Sequence, residues 1–83
     1  KEPNVVDTYA QVLLKSGKTA QALEKAEEAY ELSKGKIVDI ALNFAETLFV
    51  TNNKERAKKV LSETNAETKA QKEKYKKLSI ELK

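Results

Sequence analysis

A helix-turn-helix pattern occurs twice in this chain, about 35 residues apart, and no other feature restricts the fold as strongly. Tyr9-Ala10-x-x-Leu13-Leu14-x-x-Gly17 followed by Ala22 returns as Phe44-Ala45-x-x-Leu48-Phe49-x-x-Asn52 followed by Ala57, in the same order and at the same internal distances. Recurrence at roughly 20–50 residues marks an array of supersecondary units, none of which can bury its apolar face alone. Neighbouring units cover one another, and the array keeps an extended surface for a partner. The expectation is a binding module rather than a catalyst.

The pattern resolves into five helices near residues 4–16, 20–33, 37–51, 54–63 and 66–82. Asn4 is placed to cap the first, and Asp7 three residues on favours the positive end of its dipole. Val6, Tyr9, Ala10 and Leu13 share one face, which Val5 and Val12 widen, so burial on two sides is expected. Gly17 supplies the turn. The second helix carries Ala22, Leu23, Ala26, Ala29 and Tyr30 as its stripe, where the alanines admit a close neighbour, and Gly35 ends it as a left-handed cap. Ile37, Ile40, Ala41, Phe44, Ala45 and Leu48 make the third helix the most apolar, hence the central one. Asn52-Asn53 then replaces Gly17-Lys18, because Asn tolerates positive φ and also caps helices. Ala57, Val60 and Leu61 mark a shorter fourth helix. Thr64-x-x-Glu67 has the form of a capping box opening the fifth, with Tyr75, Leu78 and Leu82 on one side and lysines over most of the rest.

With 83 residues the chain is one domain, near the size where a single core only just suffices. Its 40% hydrophobic and 35% charged residues, with two Gly and one Pro, fit a soluble, largely helical domain. No apolar run approaches the roughly 20 residues of a transmembrane segment. A start at Lys1 and the absence of Met suggest a piece of a larger protein and leave the compartment open. Without Cys there is no disulfide, thiolate metal site or thiol nucleophile. Without His, and with its two Asp on different helices, the chain lacks the usual base near neutral pH. No catalytic residue, metal site or cofactor is therefore expected, and the chain is not expected to be an enzyme.

Two motifs have simple readings. Ser16-Gly17-Lys18-Thr19 matches the end of a phosphate-binding loop, but Val12 stands where that loop needs its first Gly, and an amphipathic helix precedes it instead of a strand. It is better explained as a helix-helix turn. Glu24, Glu27, Glu28 and Glu31 form an acidic strip that lacks loop oxygen ligands for a cation, so a solvated face is expected.

Charge is uneven. Residues 1–50 hold six basic and eight acidic side chains, and residues 51–83 hold ten basic and five acidic. Lys69, Lys72, Lys76 and Lys77 offer an alternative function, contact with nucleic acid or an anionic surface. Only Tyr75 is available there for stacking, and Glu55–Lys59 and Glu73–Lys77 are i,i+4 pairs that favour plain helix solubility. Nucleic acid is the less favoured partner.

The motif residues resemble the tetratricopeptide repeat, a unit of about 34 residues with the pattern W-x2-L-G-x2-Y, then A-x3-F and a later A and P. Val6-x-x-Tyr9-Ala10-x-x-Leu13 stands in the place of its first helix, and Ala22, Ala26 and Ala29 in that of its second. Ala41, Phe44, Ala45, Leu48 and Ala57 match in the second unit, although the closing Pro is missing from both. Tyr75-x-x-Leu78-Ser79-x-x-Leu82 repeats the first-helix signature, as a capping helix or as the start of a third repeat. The resemblance implies an all-α fold, a right-handed α-solenoid of antiparallel helix pairs. Repeat one would span 3–36, repeat two 37–65 and a capping helix 66–83. The repeat pair, the Ala-Tyr ending of its second helix and the Lys/Tyr-rich tail are also similar to helical extensions of bacterial thioredoxin-fold proteins.

In this family ligands usually lie along the concave side formed by the first helices. Carried over through the motif, the candidates are Asp7, Gln11, Leu14 and Lys15 in the first unit and Asp39, Leu42, Asn43, Glu46 and Phe49 in the second. A clamp for acidic C-terminal tails is not expected, because Asp7 and Gln11 stand where Lys and Asn would be wanted. Leu42, Phe49 and Val50 are either an apolar patch for a partner or core under the fifth helix. The implied function is non-catalytic scaffolding or interaction with a protein or peptide, including a neighbouring domain of the same chain; the oligomeric state stays open.

Overall fold

The computed structural model describes residues 2–82, and among these it contains five α-helices and no strand. They are α1 Pro3–Lys15, α2 Thr19–Leu32, α3 Val38–Val50, α4 Lys54–Ser62 and α5 Lys69–Glu81. Each begins and ends within three residues of the range expected from the sequence. α1 packs chiefly on α2 and α3 on α4; α2 also packs on α3, and α3 lies between α1 and α5. The three odd-numbered helices therefore lie side by side, with α2 and α4 behind them.

Small residues set this arrangement. Ala10, Ala22, Ala26, Ala29, Ala45 and Ala57 are all buried, which lets paired helices approach closely around Phe44, Leu48, Val60 and Leu61. α3 is central, burying Ile40, Ala41, Leu42, Phe44, Ala45, Thr47 and Leu48.

The two repeat turns close with the same hydrogen bonds. In the first, Lys18 N–H donates to the Leu13 carbonyl at 2.9 Å and Gly17 N–H to Leu14 at 3.1 Å. In the second, Asn53 N–H donates to Leu48 at 2.7 Å and Asn52 N–H to Phe49 at 3.1 Å. Both turns need a left-handed residue, Gly17 at φ +81 and Asn52 at φ +66. Asn53 does not cap α4 with its side chain, which turns back to the Thr51 hydroxyl at 2.8 Å. After α2, Gly35 is left-handed as expected (φ +71), and a Cβ there would stand 3.1 Å from the Tyr30 hydroxyl. Glycine at this position leaves room for the Tyr30 ring, which packs on Phe44 with centroids 4.9 Å apart.

Three local expectations are corrected. α1 starts earlier than Asn4: Glu2 is its N-cap and Pro3 its first helical residue, where a missing N–H does no harm. α5 is opened by Thr68 and Gln71, whose side chains satisfy each other's backbone N–H groups in a capping box, and not by Thr64 and Glu67. Thr64 is buried, and its hydroxyl donates to the Val60 carbonyl at the end of α4 at 2.8 Å. Finally, α1 is buried on one side only, through Val6, Ala10 and Leu13, while Val5, Tyr9 and Val12 are exposed.

Candidate binding face on the first-position helices

Each odd-numbered helix contributes one polar stripe to a common face. Asp7 and Gln11 are one turn apart on α1; Asp39, Asn43 and Glu46 follow at helical spacing on α3; Gln71 and Lys74 do so on α5. Side-by-side packing joins the stripes. Asn43 Nδ2 donates to Asp7 Oδ2 at 3.0 Å, linking α1 to α3. Lys74 Nζ donates to Asn43 Oδ1 and forms an ion pair with Glu46 at 3.2 Å, linking α3 to α5. One continuous polar chain thus crosses three helices.

The start of α5 is fixed to the same face. Gln71 Oε1 accepts from the backbone N–H groups of Glu67 and Thr68, and its Nε2 donates to Asp39 Oδ1 at 3.1 Å. The residue that caps α5 is therefore also a tether to α3.

Burial shapes the electrostatics at the α1 end. Desolvation raises the Asp7 pKa above the ordinary aspartate value, against the lowering effects of the Asn43 hydrogen bond and of the Lys74 charge. Asp7 Oδ1 and Gln11 Nε2 are buried and have no hydrogen-bond partner in the protein. They are an acceptor and a donor one turn apart.

The sequence-derived candidates divide into groups. Asp7, Asp39, Asn43 and Glu46 are brought together by the polar chain and its Gln71 tether, and Gln11 is half-buried beside Asp7 on α1. Leu14 and Lys15 end α1, half-buried and exposed. Phe49 is half-buried against the core, with Lys54 Nζ 5.9 Å from its ring centroid. Leu42 is buried within the core, so of the two open readings its side chain takes the second. Sequence reasoning did not single out Gln71 and Lys74 as site residues. Gln71 was visible as the last position of Thr68-x-x-Gln71, and Lys74 lies three residues on, along the same face.

The other charged surfaces are separate. The acidic strip of α2 is bridged by cations, with Glu27 accepting from Arg56 at 2.8 Å and Glu28 paired to Lys25 at 3.3 Å. The Arg56 hydrogen bond lowers the Glu27 pKa and ties α2 to α4. Lys69, Lys72, Lys76 and Lys77 are exposed on α5. Among the described residues no helix is long and apolar enough to cross a membrane.

Paired helices stacked around a small-residue core, with hydrogen-bonded polar side chains joining three of them on one face, define a helical-repeat fold. The family model of the tetratricopeptide repeat matches residues 13–79, and the chain belongs to that family. Its repeats serve generally as protein–protein interaction or scaffold modules and are typically non-catalytic. No curated protein and no solved structure matches the chain.

Proposed function

We propose that the face shared by α1, α3 and α5 binds a protein partner, as an extended peptide, a helix or a segment of a neighbouring domain. The observation that carries this reading is the polar chain from Asp7 through Asn43 to Lys74 and Glu46, which ends on α1 in a buried acceptor and a buried donor without partners. An unsatisfied buried polar group costs about 1–3 kcal/mol, so a ligand that pairs with it recovers that energy. A peptide backbone carries both complements, an N–H for Asp7 Oδ1 and a carbonyl for Gln11 Nε2. Asp7, Asp39 and Glu46 outnumber Lys74 in the joined set, which favours a partner with basic or amide side chains over an acidic tail. Leu14 and Phe49, at equivalent positions in the two repeats, add apolar contact at the far end of the face.

Calorimetry with peptides selected on the folded domain from a displayed random library tests this reading. Asn43→Ala removes the hub of the chain and should weaken binding at least about tenfold, consistent with truncation of a central interface residue. Replacing Lys69, Lys72, Lys76 and Lys77 by Gln should change it little. Peptide binding indifferent to Asn43→Ala would reject the proposal. So would tight RNA binding that falls steeply with salt, ignores Asn43→Ala and disappears with the four lysines.

A further inference from the structure

Among the described residues the exposed large apolar side chains are unevenly placed. Leu32, Val50 and Ile80 lie singly on α2, α3 and α5, which is ordinary for a protein surface. Val5, Tyr9 and Val12 are 67%, 52% and 55% exposed and share one side of α1 with exposed Thr8. Residues i, i+3, i+4 and i+7 of a helix form a compact diamond, and Val5, Thr8, Tyr9 and Val12 fill it. Asp7 and Gln11 fall on another side of α1, so the diamond is separate from the polar face.

The diamond is symmetric about its own centre. Val5 and Val12 are equidistant from a point between Thr8 and Tyr9, and so are Glu2, the N-cap, and Lys15, the last residue of α1. Both charged side chains are exposed, and among the described residues neither is in an ion pair. Glu2 borders a shallow depression beside Val5 and Tyr9. A face with matched apolar residues and opposite charges at its two ends is complementary to itself when reversed.

We propose that the Val5, Thr8, Tyr9 and Val12 face of α1 pairs with the same face of a second copy of this chain, antiparallel, in an isologous dimer. Val5 then meets Val12 of the second copy and Glu2 reaches Lys15 of the second copy, each contact occurring twice about the two-fold axis. Tyr9 lies across the axis from the smaller Thr8, which leaves space for the ring. Antiparallel helices also bring ends of opposite partial charge together. The apolar centre supplies attraction and the outer charges supply direction, because a parallel pairing would set Glu2 against Glu2 and Lys15 against Lys15. One helix per copy makes a small interface, so a weak dimer is expected, with a dissociation constant on the order of 100 µM.

Sedimentation equilibrium of the full chain, from about 10 µM to about 1 mM at low salt, tests the pairing. Val5→Asp/Val12→Asp should weaken dimerisation at least about tenfold while keeping a cooperative melting curve in dilute solution, since both side chains face solvent. Glu2→Lys and Lys15→Glu should each weaken it about threefold, and the two together should restore it. In a mixture of isotope-labelled and unlabelled chain, a nuclear Overhauser contact between Val5 and Val12 methyl groups should appear, although within one copy they lie about 10 Å apart along α1. A chain that stays monomeric at about 1 mM would overturn the choice of a second copy as occupant. A dimer that survives Val5→Asp/Val12→Asp, one that lacks the Val5–Val12 contact, or a combined charge reversal that fails to restore association would equally overturn the proposal.

Discussion

α3 and α5 lie side by side on the same face, but different forces hold them. α3 buries seven side chains in thirteen residues, whereas α5 buries Leu78, with Leu82 at its C-cap. Tyr75 adds a half-buried ring packed on the core, and the rest of the hold on α5 is polar: the Thr68–Gln71 box, the Gln71–Asp39 hydrogen bond and the contacts of Lys74 with Asn43 and Glu46. Burying a large apolar side chain contributes about 1.5–3 kcal/mol, and a solvent-exposed ion pair about 0–1 kcal/mol. α3 is accordingly the anchor of the stack and α5 the element that lifts first. The two sides of the proposed binding face are therefore expected to differ in rigidity, with α5 exchanging its amide hydrogens faster than α3.

The comparison breaks most readily at Phe44, whose ring is fully buried against Tyr30. Phe44→Ala should cost about 3–5 kcal/mol in chemical denaturation. A loss below 1 kcal/mol would mean that α3 is not the anchor. Ala57→Leu, at a fully buried close crossing, should cost about 1–3 kcal/mol by overpacking. Exposed Ala20→Leu should stay within about 0.5 kcal/mol, and equal melting temperatures for these two variants would contradict the close α3–α4 crossing.

Thr68→Ala sharpens the α5 side. Loss of the cap should cost about 1 kcal/mol and speed hydrogen exchange in the first turns of α5 while α3 keeps its protection. Equal acceleration in both helices would show that they open as one unit.

The smallest expected effect is at Asp7. Its folded-state pKa is raised chiefly by burial, so the folded chain binds this proton more tightly than the unfolded chain does. The associated stability is present below the ordinary aspartate pKa and is lost as pH rises through the raised value, leaving the carboxylate a net cost at neutral pH. Asp7→Asn should stabilise slightly at pH 7, by less than about 0.5 kcal/mol because solvent screens a half-exposed group. The gain should vanish below about pH 4. A destabilised Asn variant at pH 7 would reverse the sign.

Much of this was legible in the sequence because it depends on local chemistry. The left-handed requirement showed in Gly17 and Asn52, and the close crossings showed in the phased alanines. The start of α1 was misread at Asn4 although its signal was present, since Pro3 at the first helical position is a stronger mark than Asn4 as a cap. The opening of α5 was not: Thr64-x-x-Glu67 and Thr68-x-x-Gln71 both satisfy the local rule, and only the burial of Thr64 on α4 decides between them. Periodicity placed Val5 and Val12 correctly on a helix but could not tell whether a neighbour covers them. Lys74 looked like the other lysines of α5, because its inward contacts depend on Asn43 and Glu46, 31 and 28 residues away in sequence.

The central claim, that a partner is held jointly by α1, α3 and α5, is tested most directly by following three side-chain amides in one 15N spectrum: Gln11 on α1, Asn43 on α3 and Gln71 on α5. Titration with a library-selected peptide should shift all three together with a single dissociation constant. Saturable binding that leaves these three signals in place, with perturbations confined to the lysine-bearing surface of α5 or the Val5, Tyr9 and Val12 stripe, would contradict it.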